Sequence, residues 1–278
     1  MRIVLGIVLA VALCCGAPSA LAELVAAWPL EEGTGTTTED TVTQTTSGTF
    51  GAGVSWSTDT PGPGSTASLS FTGATTARFG TNNNAADIGI NGTGAKTLVS
   101  WIKTTQADKR YFWGWSPDNG LVAGADLRLA LENNGKFRFE VSGGFTRYDS
   151  LALNDNAWHM VAVIIDANDT LDNVDFYIDG NIVSPTSNTT VQVNTSGTGT
   201  GGSTTPNQFF FASGGNTTTQ MWNGLVDDFQ IYNTALTEVQ LDAIYDAMAV
   251  PEPGAGSLVI AVAGLAVAAH LRRQRTAG

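Results

Sequence analysis

Two adjacent carboxylates, Asp227 and Asp228, are the acidic side chains of this sequence that best suit a cation. They lie on or directly before a predicted strand, where neighbouring side chains point to opposite faces, so we expect only one of them to reach a ligand. A hard cation such as calcium takes oxygen ligands, which that carboxylate, backbone carbonyls and Asp40 or Glu39 could supply. The sequence therefore predicts one structural calcium ion, with a hydrogen-bonded or solvated pair as the alternative.

The stretch RYFWGWSPDNG gathers aromatic side chains that could bind a carbohydrate. Flat rings on an exposed surface suit the faces of sugars and also anchor protein partners. Tyr111, Trp113 and Trp115 are the candidate carbohydrate-binding residues. Because alternation along a strand turns some rings inward, we expect only Trp113 or Trp115 to be exposed. Core positions are predicted for Trp101, Trp158 and Phe229.

The sequence contains neither a recognisable set of residues for nucleophilic catalysis nor a complete EF-hand calcium-binding loop. His159 is the only histidine between residues 23 and 249, and no Ser/His/Asp set can be built around it. Both cysteines, Cys14 and Cys15, fall in a segment that we expect to be removed, which leaves no thiol and no disulfide. The acidic run DANDTLDNVD resembles an EF-hand loop, but Leu171 replaces its required glycine and Tyr177 its closing glutamate.

The elements that would position these residues are short strands separated by Gly, Asn and Asp turns, which predicts an all-β, antiparallel two-sheet sandwich. Asn134–Gly135 and Asp179–Asn181 are predicted hairpin turns, since these residues tolerate positive φ angles. The predicted strands are Ser68–Phe71, Thr97–Thr104, Leu127–Leu131, Lys136–Val141, Trp158–Asp166, Val174–Asp179, Phe209–Ala212 and Gly224–Tyr232.

One helix is predicted, close to the end of this β domain. Thr237 can cap it, and Gln240 lies where a capping box requires Glu or Gln. Its apolar stripe has helical spacing, so we expect it to pack on the sheet edge and close a single domain over residues 23–249. The stripe consists of Leu241, Ile244, Tyr245 and Met248.

The N-terminus has the three parts of a secretory signal peptide. Arg2 precedes the apolar run Ile3–Cys15, and small residues lead to an expected cleavage after Ala22. Residues 1–22 are therefore predicted to be a signal helix that is removed during export.

The C-terminus carries a second targeting pattern. An apolar stretch of 18 residues at 254–271, just long enough for a membrane-spanning helix, precedes a basic tail at 272–278. Together with the motif at 250–253, this tail resembles the PEP-CTERM sorting signal of Gram-negative bacteria. The residues that carry the resemblance are Pro251, Glu252, Pro253, Arg272, Arg273 and Arg275.

That resemblance implies how the protein is processed. An exosortase-type membrane protease would recognise the signal while the chain is anchored transiently in the inner membrane, and would then remove the anchor. The final location would be the cell surface or the extracellular matrix.

Segment 23–249 is strongly acidic. Without the arginines at positions 2, 272, 273 and 275, nine of the 13 lysine and arginine residues remain, and without Glu252, 24 of the 25 acidic residues remain. The net charge near −15 disfavours nucleic acid and anionic membrane surfaces as partners.

Four local patterns, in a fixed order, resemble the LamG-like jelly roll of the concanavalin A-like lectin and glucanase superfamily. They are LVAAWPLEEGTG, KTLVSWIKT, NAWHMVAVIIDANDTLDNVDFYIDG and WNGLVDDFQIYNTALTEVQLDAIY. The resemblance implies two curved antiparallel sheets, sugar or protein ligands in many members, and often a calcium ion near the Asp-Asp pair. It also implies that His159 is a structural residue on a strand.

Jelly-roll glucanases carry a Glu-x-Asp-x-x-Glu strand that places their catalytic acids on one face. No glutamate here has that spacing, and Glu140 stands alone in RFEVSGG. We therefore expect an exported, non-catalytic surface or matrix module that binds carbohydrate, such as an exopolysaccharide. The alternatives are a structural matrix protein without a specific ligand and a divergent glycoside hydrolase.

Overall fold

The computed structural model describes residues 22–116, 123–195, 208–214 and 219–249. The predicted signal peptide, apart from Ala22, and the predicted sorting signal at 250–278 with its apolar span lie outside these residues. Within the described ranges, no helix is both long enough and apolar enough to cross a membrane.

The described residues form seventeen strands and one helix. In chain order these are β1 (Leu24–Trp28), β2 (Glu39–Asp40), β3 (Thr45–Thr46), β4 (Val54–Ser57), β5 (Ser68–Thr72), β6 (Phe79–Gly80), β7 (Lys96–Lys103), β8 (Arg110–Ser116), β9 (Leu127–Glu132), β10 (Lys136–Val141), β11 (Gly144–Tyr148), β12 (His159–Ile165), β13 (Asp175–Ile178), β14 (Asn181–Val183), β15 (Thr186–Ser187), β16 (Gln208–Phe211), β17 (Asn223–Tyr232) and α1 (Glu238–Ala249).

Two large sheets build the domain, and the predicted antiparallel sandwich is confirmed. The first sheet has the order β14-β13-β12-β7-β17-β5-β4, with β1 also paired to β17. The second has the order β15-β11-β10-β9-β8-β16-β6, and β2 and β3 form a separate pair. All pairings between these strands are antiparallel.

The main core lies between the two large sheets. Alternate residues of the strands face inward, so Leu98 and Ile102 of β7 belong to the same buried cluster as Phe112 and Phe137 of the second sheet. Trp28 of β1 contacts Phe211 of β16 edge-on, with ring centroids 5.8 Å apart. Residues 23–249 contain no cysteine, so no disulfide can stabilise this segment. The burial of such rings therefore holds the two sheets together.

The helix α1 covers the outer face of the first sheet, whereas the sequence pattern predicted that it would pack on the sheet edge. Leu241 is buried against outward residues of the central strands, and the ring of Trp101 stacks on Tyr245 at 5.3 Å. The glutamine half of the predicted capping box is present, because Gln240 Oε1 accepts the Thr237 backbone N–H at 2.9 Å, whereas the Thr237 hydroxyl donates to the same oxygen at 3.0 Å. The middle strands of the first sheet carry apolar residues on their outer face, and α1 shields these residues from water.

The hairpin and bulge positions follow from backbone geometry. Asn134 and Gly135 have φ angles of 63° and 89°, which confirms the predicted turn between β9 and β10.

In β17 the register with β7 shifts between Asp227 and Gln230, and Asp228 has a φ of 43°. This bulge breaks the alternation expected for the two aspartates, so they do not simply take opposite faces.

Candidate functional site

A cavity of about 180 Å³ opens at the end of the first sheet, where β7 ends and β17 begins. Its walls come from the loop after β4, the end of β7, the loop before β12 and the start of β17. Phe71 and Leu225 contribute apolar surface. The charged and polar side chains that line it include Asp59, Lys103, Thr104, Thr105, Asn156 and Asn223. We call this cavity the polar pocket.

An ion pair and an indole stand at the rim of the polar pocket. Asp59 accepts hydrogen bonds from Lys103 Nζ at 2.6 Å and from the Trp158 indole N–H at 2.9 Å. Partial burial would raise the pKa of Asp59, but these two partners outweigh it and hold the pKa below its usual range. Asp59 is therefore an ionised acceptor near neutral pH, and Lys103 keeps two N–H donors for a ligand.

Two amides complete the polar pocket. The Asn156 backbone N–H donates to the Thr104 carbonyl at 3.1 Å, and the Asn223 backbone N–H donates to Gln106 Oε1 at 3.0 Å. Asn156 has a φ of 69°, a conformation that asparagine tolerates better than most residues. Both side chains are exposed. Each amide offers donors and an acceptor, which is the chemistry that matches sugar hydroxyl groups.

The predicted aromatic platform is wrong for both tryptophans. Trp113 and Trp115 are 0% and 1% exposed, and Trp113 stacks on Phe229 with ring centroids 4.5 Å apart. The reason is that β8 lies in the middle of the second sheet, where one face packs across onto the first sheet. Trp101 and Phe229 are buried as predicted, whereas Trp158 is only partly buried.

Tyr111 faces the outer side of the second sheet but is only 2% exposed. Lys109 Nζ lies 5.0 Å from its ring centroid, and its hydroxyl donates to Glu140 Oε1 at 3.1 Å. The ring is therefore not a free surface for a sugar, and the prediction for Tyr111 is wrong in that respect.

Glu140 is surrounded by cations on the same face. Its carboxylate lies 3.1 Å from Lys109 Nζ, 2.8 Å from Arg128 Nη1 and 2.6 Å from Arg138 Nη2. Burial would raise the pKa of Glu140, but these three charges outweigh it and hold the pKa below its usual range. A carboxylate held in its ionised form is unsuited to the general-acid role in glycoside hydrolysis.

Asp227 is buried beside β7, whereas the neighbouring Asp228 is partly buried. Asp227 Oδ2 lies 2.8 Å from Ser65 Oγ, and Asp227 Oδ1 accepts the Asp228 N–H at 2.9 Å. Burial raises the pKa of Asp227 to about 9, with a further contribution from the Asp228 and Glu31 charges. Burial also raises the pKa of Asp228, to about 6.

Asp40 does not complete a calcium site with this pair. It is buried, and its oxygens accept four hydrogen bonds that a cation would have to replace. Over the described ranges, no group of three or more His, Cys, Asp or Glu side chains is placed to hold a metal ion. Asp40 is therefore not free to join Asp227 and Asp228 as a ligand, and a calcium ion at this pair stays a prediction from the sequence. The four donors are the Ala27 N–H, Val42 N–H, Thr43 hydroxyl and Asn83 amide.

His159 links two elements of the first sheet, in line with the structural role predicted for it. Nδ1 lies 2.6 Å from Asp179 Oδ2, and Nε2 lies 3.0 Å from Asp155 Oδ1. Burial would lower the pKa of His159, but the two carboxylates outweigh it and raise the pKa. The contact ties the start of β12 to the β13–β14 turn.

The sequence interpretation missed the polar pocket. Asp59, Lys103, Asn156 and Asn223 belong to four distant segments and share no motif. The one local signal was the polar loop NDNAW, which places the exposed Asn156 two residues before Trp158.

Known proteins share this fold. A laminin G profile of the concanavalin A-like lectin/glucanases superfamily matches residues 74–242. The chain belongs to that superfamily. Strands β1 to β5 precede the matched residues, yet β1, β4 and β5 pair within the same first sheet. No curated protein sequence matches the chain.

Solved structures similar to this superfamily member include binding domains and parts of glycosidases. The binding domain of Paraclostridial Mosquitocidal Protein 1 has a TM-score of 0.56 and 15% identity, over 81% of this chain and 52% of that one. Domain 4 of AbnA, a GH43 extracellular arabinanase from Geobacillus stearothermophilus solved with arabinotriose, has a TM-score of 0.54 and 16% identity, over 82% and 98%. Trypanosoma rangeli sialidase has a TM-score of 0.52 and 16% identity, over 82% of this chain but only 33% of the sialidase.

Proposed function

We propose that this protein is an exported, non-catalytic carbohydrate-binding module whose ligand occupies the polar pocket. The observation that carries the proposal is the set of side chains there: an ionised acceptor, an ammonium group and two free amides beside an indole. Hydroxyl groups of a sugar can both donate to and accept from such groups. The similar arabinanase domain was solved with arabinotriose, which supports the ligand class.

The size of the polar pocket limits what it holds. Its volume of about 180 Å³ is below the roughly 300–1,000 Å³ typical of pockets for drug-sized ligands. It therefore suits one sugar ring, as a monosaccharide or as one unit of a chain that continues into solvent.

The targeting signals belong to the same proposal. The signal peptide directs export, an exosortase-type protease removes the PEP-CTERM segment at the inner membrane, and the module reaches the cell surface or matrix of a Gram-negative bacterium. There it binds an extracellular polysaccharide.

A panel of immobilised neutral polysaccharides tests the function, with retention of the secreted protein as the readout. We expect at least one polysaccharide to retain the protein. Replacing Asn223 or Lys103 by alanine should weaken that binding about tenfold each, the loss of one or two hydrogen bonds. Asn91→Ala is the matched control, because Asn91 is an exposed asparagine before β7, at the opposite end of that strand.

Two outcomes would overturn the proposal. A folded protein that no glycan retains would favour a structural matrix protein without a specific ligand. Release of reducing sugar that is lost in Glu140→Gln would establish a divergent glycoside hydrolase instead.

A further inference from the structure

The cationic side chains of this acidic protein are concentrated on one sheet. Of the nine lysine and arginine residues between 23 and 249, only Lys96 and Lys103 lie on the first sheet. The other seven lie on the second sheet or directly before its strands. These are Arg78, Lys109, Arg110, Arg128, Lys136, Arg138 and Arg147.

Acidic residues show the reverse distribution. Five lie on the second sheet or its flanks, namely Asp108, Asp126, Glu132, Glu140 and Asp149. Apart from Asp118, which falls outside the described residues, the other eighteen lie on the first sheet, on β2, on α1 or in loops. The second sheet is therefore locally positive in a molecule with a net charge near −15.

Distance separates the two charge distributions. Packed sheets lie about 10 Å apart and their outer side chains point away from each other, so the charges of the first sheet are the more distant ones for a ligand on the outer face of the second sheet. A ligand at the outer face of the second sheet is therefore influenced mainly by the charges on that sheet.

The cations form a connected surface across β8 to β11, which we call the basic face: Lys109, Arg128, Lys136, Arg138 and Arg147 with their acidic partners. Arg138 and Arg147 lie directly opposite each other on β10 and β11, an arrangement that normally destabilises a sheet. Glu132 lies between them, with Oε1 2.6 Å from Arg147 Nη1 and 3.0 Å from Arg138 Nη1.

Stability alone does not account for this arrangement. Partly buried ion pairs add little net stability, because desolvation and solvent screening offset their attraction. Several of the cations also remain open to solvent: side chains of Lys109 and Arg147 are each 23% exposed. The guanidinium of Arg138 lies 3.5 Å from the Phe145 ring centroid, which fixes it in place.

We propose that the basic face is a second binding surface, separate from the polar pocket, for a polysaccharide that carries carboxylate groups. Guanidinium groups on this face already bind carboxylates: Arg138 Nη1 contacts both oxygens of Glu132 at 3.0 Å. Carboxylates on a polymer are the same chemistry. The excess is small, two positive charges over the second sheet and one over the basic face with its four carboxylates, which is too little for the dense charge of nucleic acid.

Polygalacturonate and its fully methyl-esterified form are a matched pair of ligands for the test, because esterification removes only the charges. We expect the secreted protein to bind the free acid at physiological salt and to lose that binding on esterification. Binding should also be lost near ~1 M salt, where the Debye length falls to about 3 Å.

Charge variants locate the surface. Lys109→Gln combined with Lys136→Gln changes two partly exposed side chains and should weaken polygalacturonate binding at least fivefold with an unchanged melting temperature. Arg110→Gln, at a partly exposed cation that belongs to neither the basic face nor the polar pocket, is the matched control and should leave this binding unchanged.

Three results would overturn this proposal. The first is equal binding of the acid and its ester, and the second is equally tight binding of a single-stranded oligonucleotide. The third is a loss in Lys103→Gln that matches the loss in the double variant, which would assign the acidic polymer to the polar pocket and leave the proposed function standing.

Discussion

At the scale of single residues, the hydrogen bonds of Asp227 indicate that its carboxyl group is protonated near neutral pH. Ser65 Oγ is 2.8 Å from Asp227 Oδ2 and 2.9 Å from the Ala67 carbonyl, but a hydroxyl donates only one hydrogen. If Ser65 donates to Ala67, then Asp227 must donate to Ser65, which requires the protonated acid. The raised pKa of Asp227, about 9 through burial, agrees with this assignment near neutral pH.

Replacing Asp227 by asparagine therefore tests how the stability of the protein depends on pH. A carboxyl whose pKa is raised on folding binds a proton that the unfolded chain releases, so the stability of the parent falls as pH rises from about 4 to about 9. An amide keeps both hydrogen bonds without titrating. The stability of Asp227→Asn relative to the parent should thus increase with pH, by at most about 1.4 kcal/mol per pH unit.

Thermal melting from pH 5 to pH 8, with and without calcium, measures this effect. Asp172→Asn, at an exposed aspartate, is the control and should change stability by less than about 0.5 kcal/mol. A variant less stable than the parent at every pH, together with calcium stabilisation of the parent alone, would show that Asp227 is an ionised cation ligand.

At the scale of elements, α1 closes the outer face of the first sheet through one apolar stripe. Leu241 is fully buried in that contact, whereas Val239 on the same helix is 77% exposed. Leu241→Ala should lower the free energy of unfolding by about 2–5 kcal/mol, the cost of a cavity in a packed site.

Urea unfolding of Leu241→Ala and Val239→Ala is the appropriate comparison. Val239→Ala should change the free energy of unfolding by less than about 0.5 kcal/mol. Equal losses in the two variants would mean that α1 does not pack through its predicted stripe.

Local patterns predicted the elements better than their placement. The turn at Asn134–Gly135 and the stripe of α1 depend on neighbours in sequence, and both were predicted correctly. A period of two places Trp113 and Trp115 on one face but does not tell which face is buried, because that depends on the opposite sheet. The bulge at Asp228 requires a positive φ, which most non-glycine residues in a strand do not adopt, so alternation failed there.

The candidate site was less predictable than the fold. Lys103 and Asn223 are 120 positions apart and meet only because β17 pairs with β7. Asp59 and Asn156 join them through two further loops. Such a site arises from topology, and a single sequence holds no spacing that would indicate it.

At the scale of the whole molecule, the targeting signals predict the two ends of the secreted product. Mass spectrometry of the protein from the culture medium or matrix should find Glu23 as its first residue and no residue from the apolar stretch at 254–271. An intact chain ending at Gly278, or one that still begins at Met1, would contradict the proposed export and processing.

The central claim is that a sugar ring occupies the polar pocket of a non-catalytic module. The most direct measurement is a crystal structure of the secreted protein with the saccharide that the polysaccharide panel identifies. We predict an intact saccharide with hydroxyl groups hydrogen-bonded to Asn156, Asn223 and the Asp59–Lys103 pair. A saccharide bound elsewhere on the molecule with the polar pocket empty, or one cleaved during the experiment, would contradict the account.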